Sequence, residues 1–274
     1  MAAKLKKGLQ WFRDLYANRR LIIDLANKDF KMRYAASYLG AVWAFIQPVV
    51  TVLIYILVFQ FGLRVQPSAD GVPYALWLVA GMVPWLYFNE ALLSATNCLI
   101  EFSYLVKKVV FKISVLPIVK ILTALYVHAF FIVIAVAVFV LFRYPLTISL
   151  IQVAYYTFAL TALILGISYI TASLIVFFRD LGQIVSIILQ FLMWLTPILW
   201  KLEDVTVIPA KLHWILKLNP VYYIVSGYRD AFLYGTWFFE KPTWTIYFWC
   251  FVLAAGILGI ITFKKLEKHF ADVL

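Results

Sequence analysis

Three residues with chemistry to offer interrupt the apolar stretches of this chain: Glu90, Lys120 and His128. Ionisable groups in such surroundings are costly and are candidates for function by default. Their spacing matches no metal site, proton relay or paired-carboxylate active site, so a membrane enzyme is disfavoured. His128 has no partner at helical spacing and reads as a packed polar residue. Lys120 lies near enough to the end of its stretch to snorkel into the interface. Glu90 follows Pro84 and is the costliest of the three, a candidate for facing a bundle interior or channel. No phosphate-binding loop of the form GxxxxGK[ST] occurs, so any nucleotide hydrolysis by that route belongs to another subunit. Cys98 and Cys250 fall in different stretches without metal or redox spacing and read as structural.

The remaining candidates lie between the apolar stretches. From Trp11 to Phe30, apolar Trp11, Phe12, Leu15, Tyr16, Ile22, Ile23, Ala26 and Phe30 oppose Arg13, Asn18, Arg20, Asp24 and Lys28, the pattern of a helix lying in a membrane interface. Lys28, Lys31 and Arg33 follow at headgroup depth. A shorter version comes later: Phe102, Leu105, Val106, Val109 and Ile113 oppose Glu101, Ser103, Lys107, Lys108 and Lys112, which suits either a docking surface or a solvated face. Between 201 and 242, two apolar runs shorter than a span are split at Asn219-Pro220 and read as external re-entrant helices. Arg229 and Asp230 within them would contribute little as an exposed ion pair.

The elements that must position these groups are helices in lipid. Of 274 residues, 65% are hydrophobic and 14% charged, too few polar groups to cover a soluble globule. Apolar stretches run over 39–63, 74–100, 118–142, 146–178, 184–200 and 244–263, each long enough to cross. The expected fold is an all-α integral membrane protein of six transmembrane helices, one domain over 1–274. Residues 1–38 form the cytoplasmic amphipathic segment, 39–263 the six-span region and 264–274 a cytoplasmic tail. The fourth stretch is too long for an upright span and is expected to tilt or to extend beyond the membrane.

Charge sets the orientation. Residues 1–38 carry nine Lys/Arg against three acids, and Lys107, Lys108, Lys112, Arg179, Lys264, Lys265 and Lys268 fall on the same side, which is therefore cytoplasmic, with both termini inside. The net charge of +11 sits in these juxtamembrane clusters, not on one soluble face, so it speaks for topology and anionic lipid and against nucleic acid. Aromatics make up 18% of the chain. Most mark interfaces; Tyr55, Phe59, Tyr87, Phe88, Phe191 and Trp194 are candidates, with Glu90, for lining a passage and stacking on sugar rings.

In order along the chain, Tyr38-Leu39-Gly40-Ala41-Val42-Trp43 with Gln47-Pro48, Leu105-Val106-Lys107-Lys108 leading to Leu116-Pro117, Phe178-Arg179-Asp180, Thr196-Pro197-Ile198 and Leu218-Asn219-Pro220 with Tyr222 resemble the permease subunit of polysaccharide-exporting ABC transporters. Phe61-Gly62-Leu63-Arg64, Gly71-Val72-Pro73-Tyr74, Thr196-Pro197-Ile198-Leu199-Trp200 and Lys268-His269-Phe270 are most similar to the wall teichoic acid branch; O-antigen and capsule permeases share the more general motifs. The resemblance implies a bacterial cell-membrane homodimer, bound to two copies of a separate ATPase that carries ATP and Mg, with no cofactor in this chain. It implies outward movement of a polyprenyl-diphosphate-linked polymer. It makes the N-terminal helix and the joint with Glu101, Lys107, Lys108 and Lys112 the ATPase contact, and Lys28, Lys31 and Arg33 a source of attraction for the diphosphate. A membrane enzyme acting on the same lipid-linked sugars and an ungated channel are the rivals.

Overall fold

A computed structural model describes residues 17–34, 38–63, 71–107, 112–202 and 213–274. Among these the regular structure is helical, in eight principal helices: α1 (Arg19–Tyr34), α2 (Trp43–Ile56), α3 (Tyr74–Glu101), α4 (Leu116–Leu141), α5 (Gln152–Ile175), α6 (Leu181–Leu195), α7 (Pro220–Arg229) and α8 (Pro242–Leu266). Flanking 3-10 and π turns extend several of them, so that five continuous helical runs are long and apolar enough to cross a membrane: Gly40–Gly62, Tyr74–Glu101, Ile113–Leu141, Ile148–Ile175 and Pro242–Val273.

Local chemistry marks the boundaries. Pro117 and Pro242 stand in the first turns of α4 and α8, where a missing N–H costs nothing. Asn219 caps α7 by accepting from Val221 N at 3.0 Å, with Pro220 as the first helical residue. Thr196 ends α6 in extended backbone with ψ 131°, as the residue before Pro197 must. That early stop corrects the fifth expected span: the helix is 15 residues, about 22 Å at 1.5 Å per residue, short of a bilayer core by itself. The fourth stretch is one helix entered through the 3-10 turn Ile148–Ile151.

The helix α3 is the axis. Twenty of its 28 residues are buried, apolar on every side, as expected of a helix wrapped by others. It is packed by α4, α5, α6 and α7, while α8 lies against α5 and α1 against α4. Lipid tails are as apolar as leucine, so burying apolar surface does not itself hold such helices together; small residues and interhelical hydrogen bonds do. Gly166 of α5 meets α8 so closely that an added Cβ would lie 2.9 Å from Gly256 N, and one on Gly259 would lie 2.6 Å from Gly166 O. The hydroxyls of Thr96 on α3 and Thr171 on α5 pair at 2.8 Å.

The helix α2 is the exception. Of its window only Ala44 is buried, and Val50, Leu53, Ile54, Leu57, Val58 and Phe61 are exposed. A second exposed apolar stripe, Ile184, Ile187, Ile188, Phe191 and Trp194, runs along α6.

The interfacial helix expected over 11–30 is described from residue 17 and continues to Tyr34; residues 11–16 lie outside the described residues. Its buried face is Ile22, Ala26 and Asp29 against Val115 and Val119 of the α4 entrance, while Ile23 is exposed.

Candidate functional site

Two cavities lie on the side of α3 that faces α1, α2 and α6. The inner one, about 620 Å³, opens between α1, the end of α3 and the start of α4, and is lined by Asp29, Arg33, Glu90, Ser94, Asn97, Glu101 and Lys120 among others. The second, about 440 Å³, lies deeper between α2, α3, α4 and α6, where Gln47, Thr51, Tyr55, Trp85, Tyr87, Asn89, Glu90, His128, Ser186 and Gln190 mix amide, hydroxyl and aromatic groups. Arg33 and Glu90 line both.

These two residues form an ion pair through Arg33 Nη1 and Glu90 Oε1. Arg33 Nη2 also donates to Ser94 Oγ at 3.2 Å, and the Ser94 hydroxyl donates to Glu90 Oε1 at 2.9 Å. Beside them Lys120 Nζ donates to Asp29 Oδ1 at 2.6 Å and pairs with Glu101 Oε2 at 2.5 Å, its ammonium 4.7 Å from the Phe102 ring centre. Lys120 is 3% exposed, which corrects the snorkelling expectation: a buried cation needs a buried counter-ion, and Asp29 of α1 supplies it.

At mid-length, Tyr228 of α7 reaches the centre of α4, where its hydroxyl meets His128 Nε2 at 2.8 Å and Thr157 Oγ1 at 2.6 Å. The Tyr87 ring stacks on His128 at 4.5 Å, and its hydroxyl meets Thr161 at 3.0 Å. His128 is thus a packed polar group in a network joining α3, α4, α5 and α7, and α7 penetrates to the middle of the bundle as a re-entrant helix would.

Near the other end of α3, Arg229 and Asp230 are 6% and 5% exposed, which corrects their reading as an exposed pair. Arg229 lays its guanidinium 3.4 Å from the Trp77 ring centre and donates to Pro197 O at 2.7 Å and Ile198 O at 2.9 Å. It satisfies carbonyls of the non-helical segment that follows α6. Asp230 pairs with Lys241 at 2.5 Å; burial pushes its carboxyl above the usual carboxylate range, and Lys241 opposes that. Asn219 Nδ2 donates to Thr196 Oγ1 at 2.7 Å, so the Thr196-Pro197-Ile198 and Leu218-Asn219-Pro220 motifs are one clasp.

The sequence candidates therefore separate. Tyr55, Tyr87 and Glu90 share the deeper cavity with Arg33. Phe59 stacks on Tyr74 at 6.1 Å, towards the opposite end of α3 from Glu101. Phe88 is buried with its ring 5.7 Å from Trp85, and Phe191 and Trp194 are exposed on the outer face of α6. Lys28 and Lys31 are exposed on α1, and Lys107 and Lys112 on the joint; Lys108 lies outside the described residues. Glu101 is half-exposed and bound to Lys120. Sequence reasoning passed over Asp29, Ser94 and Gln190. Asp29 carried a signal, since it falls three residues beyond Ala26, on the apolar face of α1.

A family model of the ABC-2 type transporter matches residues 20–233. The chain belongs to the ABC-2 type transporter family. Among its relatives, the O-antigen export system permease protein RfbA of Klebsiella pneumoniae is 33% identical over 281 residues, covering 100% of both chains. A second such protein from the same organism is 32% identical over the same span. The O-antigen export system permease protein RfbA of Myxococcus xanthus is 27% identical over 221 residues, covering 80% of this chain and 83% of that one. Membership makes this ABC-2 permease a membrane-spanning transporter subunit, not an enzyme in its own right. The three relatives carry an O-antigen name and not a teichoic acid one, which corrects the branch expected from the sequence motifs and favours its alternative.

Proposed function

We propose that this permease exports an O-antigen-type polysaccharide, linked to a polyprenyl diphosphate, across the bacterial cytoplasmic membrane, driven by ATP and Mg bound on a separate ATPase subunit. The observation that carries the reading is the pair of polar cavities along α3 in a chain matched end to end by O-antigen export permeases. Amide, hydroxyl and aromatic groups suit sugar rings and phosphates, and the cations on α1 suit the diphosphate, with Lys28 and Lys31 exposed for its approach.

The working unit is a homodimer, supported by the unpartnered apolar stripes of α2 and α6, which carry Phe191 and Trp194. Six crossings with both termini cytoplasmic are supported by the path of α6. Gly182 lies against the Asn97 side chain, and Leu199 O accepts from Tyr74 OH at 2.7 Å. Those two points on α3 stand 23 residues apart, roughly 34 Å. The short helix and its extended tail thus cover the depth of a bilayer core together. The ATPase docks on the polar face of α1 and on the joint with Glu101, Lys107, Lys108 and Lys112. Reversing the charges of Lys107 and Lys112 tests this: loss of ATPase co-purification from correctly inserted permease supports it, and unchanged co-purification and export contradict it.

A further inference from the structure

A third cavity, about 320 Å³, adjoins the deeper polar one between α2, α3 and α4, and Val83, Leu86 and Phe131 line both. Its wall is apolar but for Gln60. Along α2 it spans 49–61 where the polar cavity spans 43–55, and along α4 it spans 131–142 where the polar cavity spans 124–131. On α3, which runs the opposite way, it takes 75–86 against 82–90. All three helices thus place the apolar cavity further from the end that carries Glu101 and Lys120, by roughly 9 Å along α2. The two make one cleft, polar towards that end and apolar beyond it. Phe142, which belongs to neither of the exposed stripes of α2 and α6, is 52% exposed in its wall, so the cleft opens sideways to lipid.

We propose that the apolar cavity holds the first isoprene units of the transported lipid while its sugar head occupies the polar one. The inference rests on the transport of a lipid-linked sugar proposed above and adds where the chain of that lipid lies. An apolar cavity of roughly 150 Å³ takes one six-carbon ring, so this one has room for about a dozen carbons, between two and three isoprene units. A chain gains little by leaving lipid for such a wall, because bilayer tails are as apolar as leucine. What favours it is tethering: a head held in the adjoining cavity makes entry of its own chain intramolecular. A bulk phospholipid tail has no such anchor, since the amides, hydroxyls and aromatic ring of Gln47, Thr51, Tyr55 and Gln190 suit sugars. The order of the cleft also matches a lipid in the leaflet on the Glu101 side, with its head towards that surface and its chain pointing to the bilayer centre. Seating the chain fixes which way the head faces, and so delivers the sugars to the polar cavity.

The test uses the purified permease–ATPase complex in phosphatidylcholine nanodiscs, with a polyprenyl-diphosphate-linked sugar carrying a diazirine on its second isoprene unit. Photolysis and peptide mass spectrometry read which residues are labelled, and stimulated ATP hydrolysis is read on the same sample. Labelling is expected on Val52, Ile56 and Phe131, displaced by excess unlabelled lipid-linked sugar, and at background there when a phosphatidylcholine tail carries the diazirine. Val52→Phe fills the cavity and should lower that labelling about tenfold, while labelling of the exposed Leu253 on α8 stays constant. Ile134→Phe fills it from α4 and stands in if the first variant does not assemble. Three results overturn the site and leave the transport reading standing: stimulated hydrolysis with labels scattered over outer faces, cavity labelling unmoved by the filling variant, or equal cavity labelling by the phosphatidylcholine probe. A lipid-linked sugar that neither stimulates hydrolysis nor labels the cavity removes both.

Discussion

Lys120 Nζ of α4 holds Asp29 Oδ1 of α1 at 2.6 Å, two ionisable groups 3% and 5% exposed and 91 residues apart in the chain. The bond fastens α1 to the bundle, and the same ammonium reaches Glu101 where α3 ends and the charged joint begins. One cation therefore ties together both elements proposed to meet the ATPase.

Removing it leaves the buried Asp29 carboxylate with only the longer 3.9 Å contact to Arg33. Lys120→Met should cost about 3–5 kcal/mol, and the double variant with Asp29→Asn should recover most of that, because the buried charge is then gone. Thermal unfolding of the purified chain in detergent measures both; equal midpoints for single and double variants would contradict the pairing.

Gly227 is set by contact. A Cβ there would lie 2.1 Å from the ring of Tyr156, which is 1% exposed and cannot retreat. Gly227→Ala should lower stability by at least the 1–3 kcal/mol of ordinary overpacking, and Tyr156→Leu in the same chain should restore part of it. The thermal midpoints of the two variants decide.

Arg229→Lys keeps the charge and loses the fork. A lysine can satisfy one of the Pro197 and Ile198 carbonyls, leaving the other buried without its donor at about 1–3 kcal/mol. The segment after α6 should then open, seen as faster tryptic cleavage after Lys201 in intact spheroplasts. An unchanged cleavage rate would show that the guanidinium does not hold that segment.

The six crossings proposed above depend on the path of α6. In a chain with Cys98 and Cys250 replaced by alanine, a cysteine in place of the exposed Phe239 should react with an impermeant thiol reagent from outside, and one in place of Asp272 should not. If α6 does not cross, the two results exchange.

Much of this was legible in the sequence because lipid imposes long apolar runs, and α7 showed as an apolar run too short to cross, opened at Asn219-Pro220. The early end of α6 was signalled by Pro197 and was outweighed by the apolar run continuing to Trp200. What the sequence could not display were partners joined only by the fold. Asp29 looked like one of several acids on a basic segment until α4 brought Lys120 to it. Arg229 looked exposed until the carbonyls of Pro197 and Ile198, about thirty residues earlier in the chain, closed over its guanidinium. Glu90 stood out by cost alone, and its partner Arg33 was read as part of a basic cluster.

On the function proposed above, this permease, with its ATPase, carries a diphosphate-linked polysaccharide from one face of the membrane to the other. Proteoliposomes containing both subunits and a fluorescent polyprenyl-diphosphate-linked oligosaccharide, with ATP supplied on the ATPase side, measure it through the fraction of sugar that becomes accessible on the opposite face to a membrane-impermeant glycosidase. The expected result is ATP-dependent transfer that is lost when the ATPase is inactivated. A complex that hydrolyses ATP at full rate while the sugar stays on its original side would contradict it.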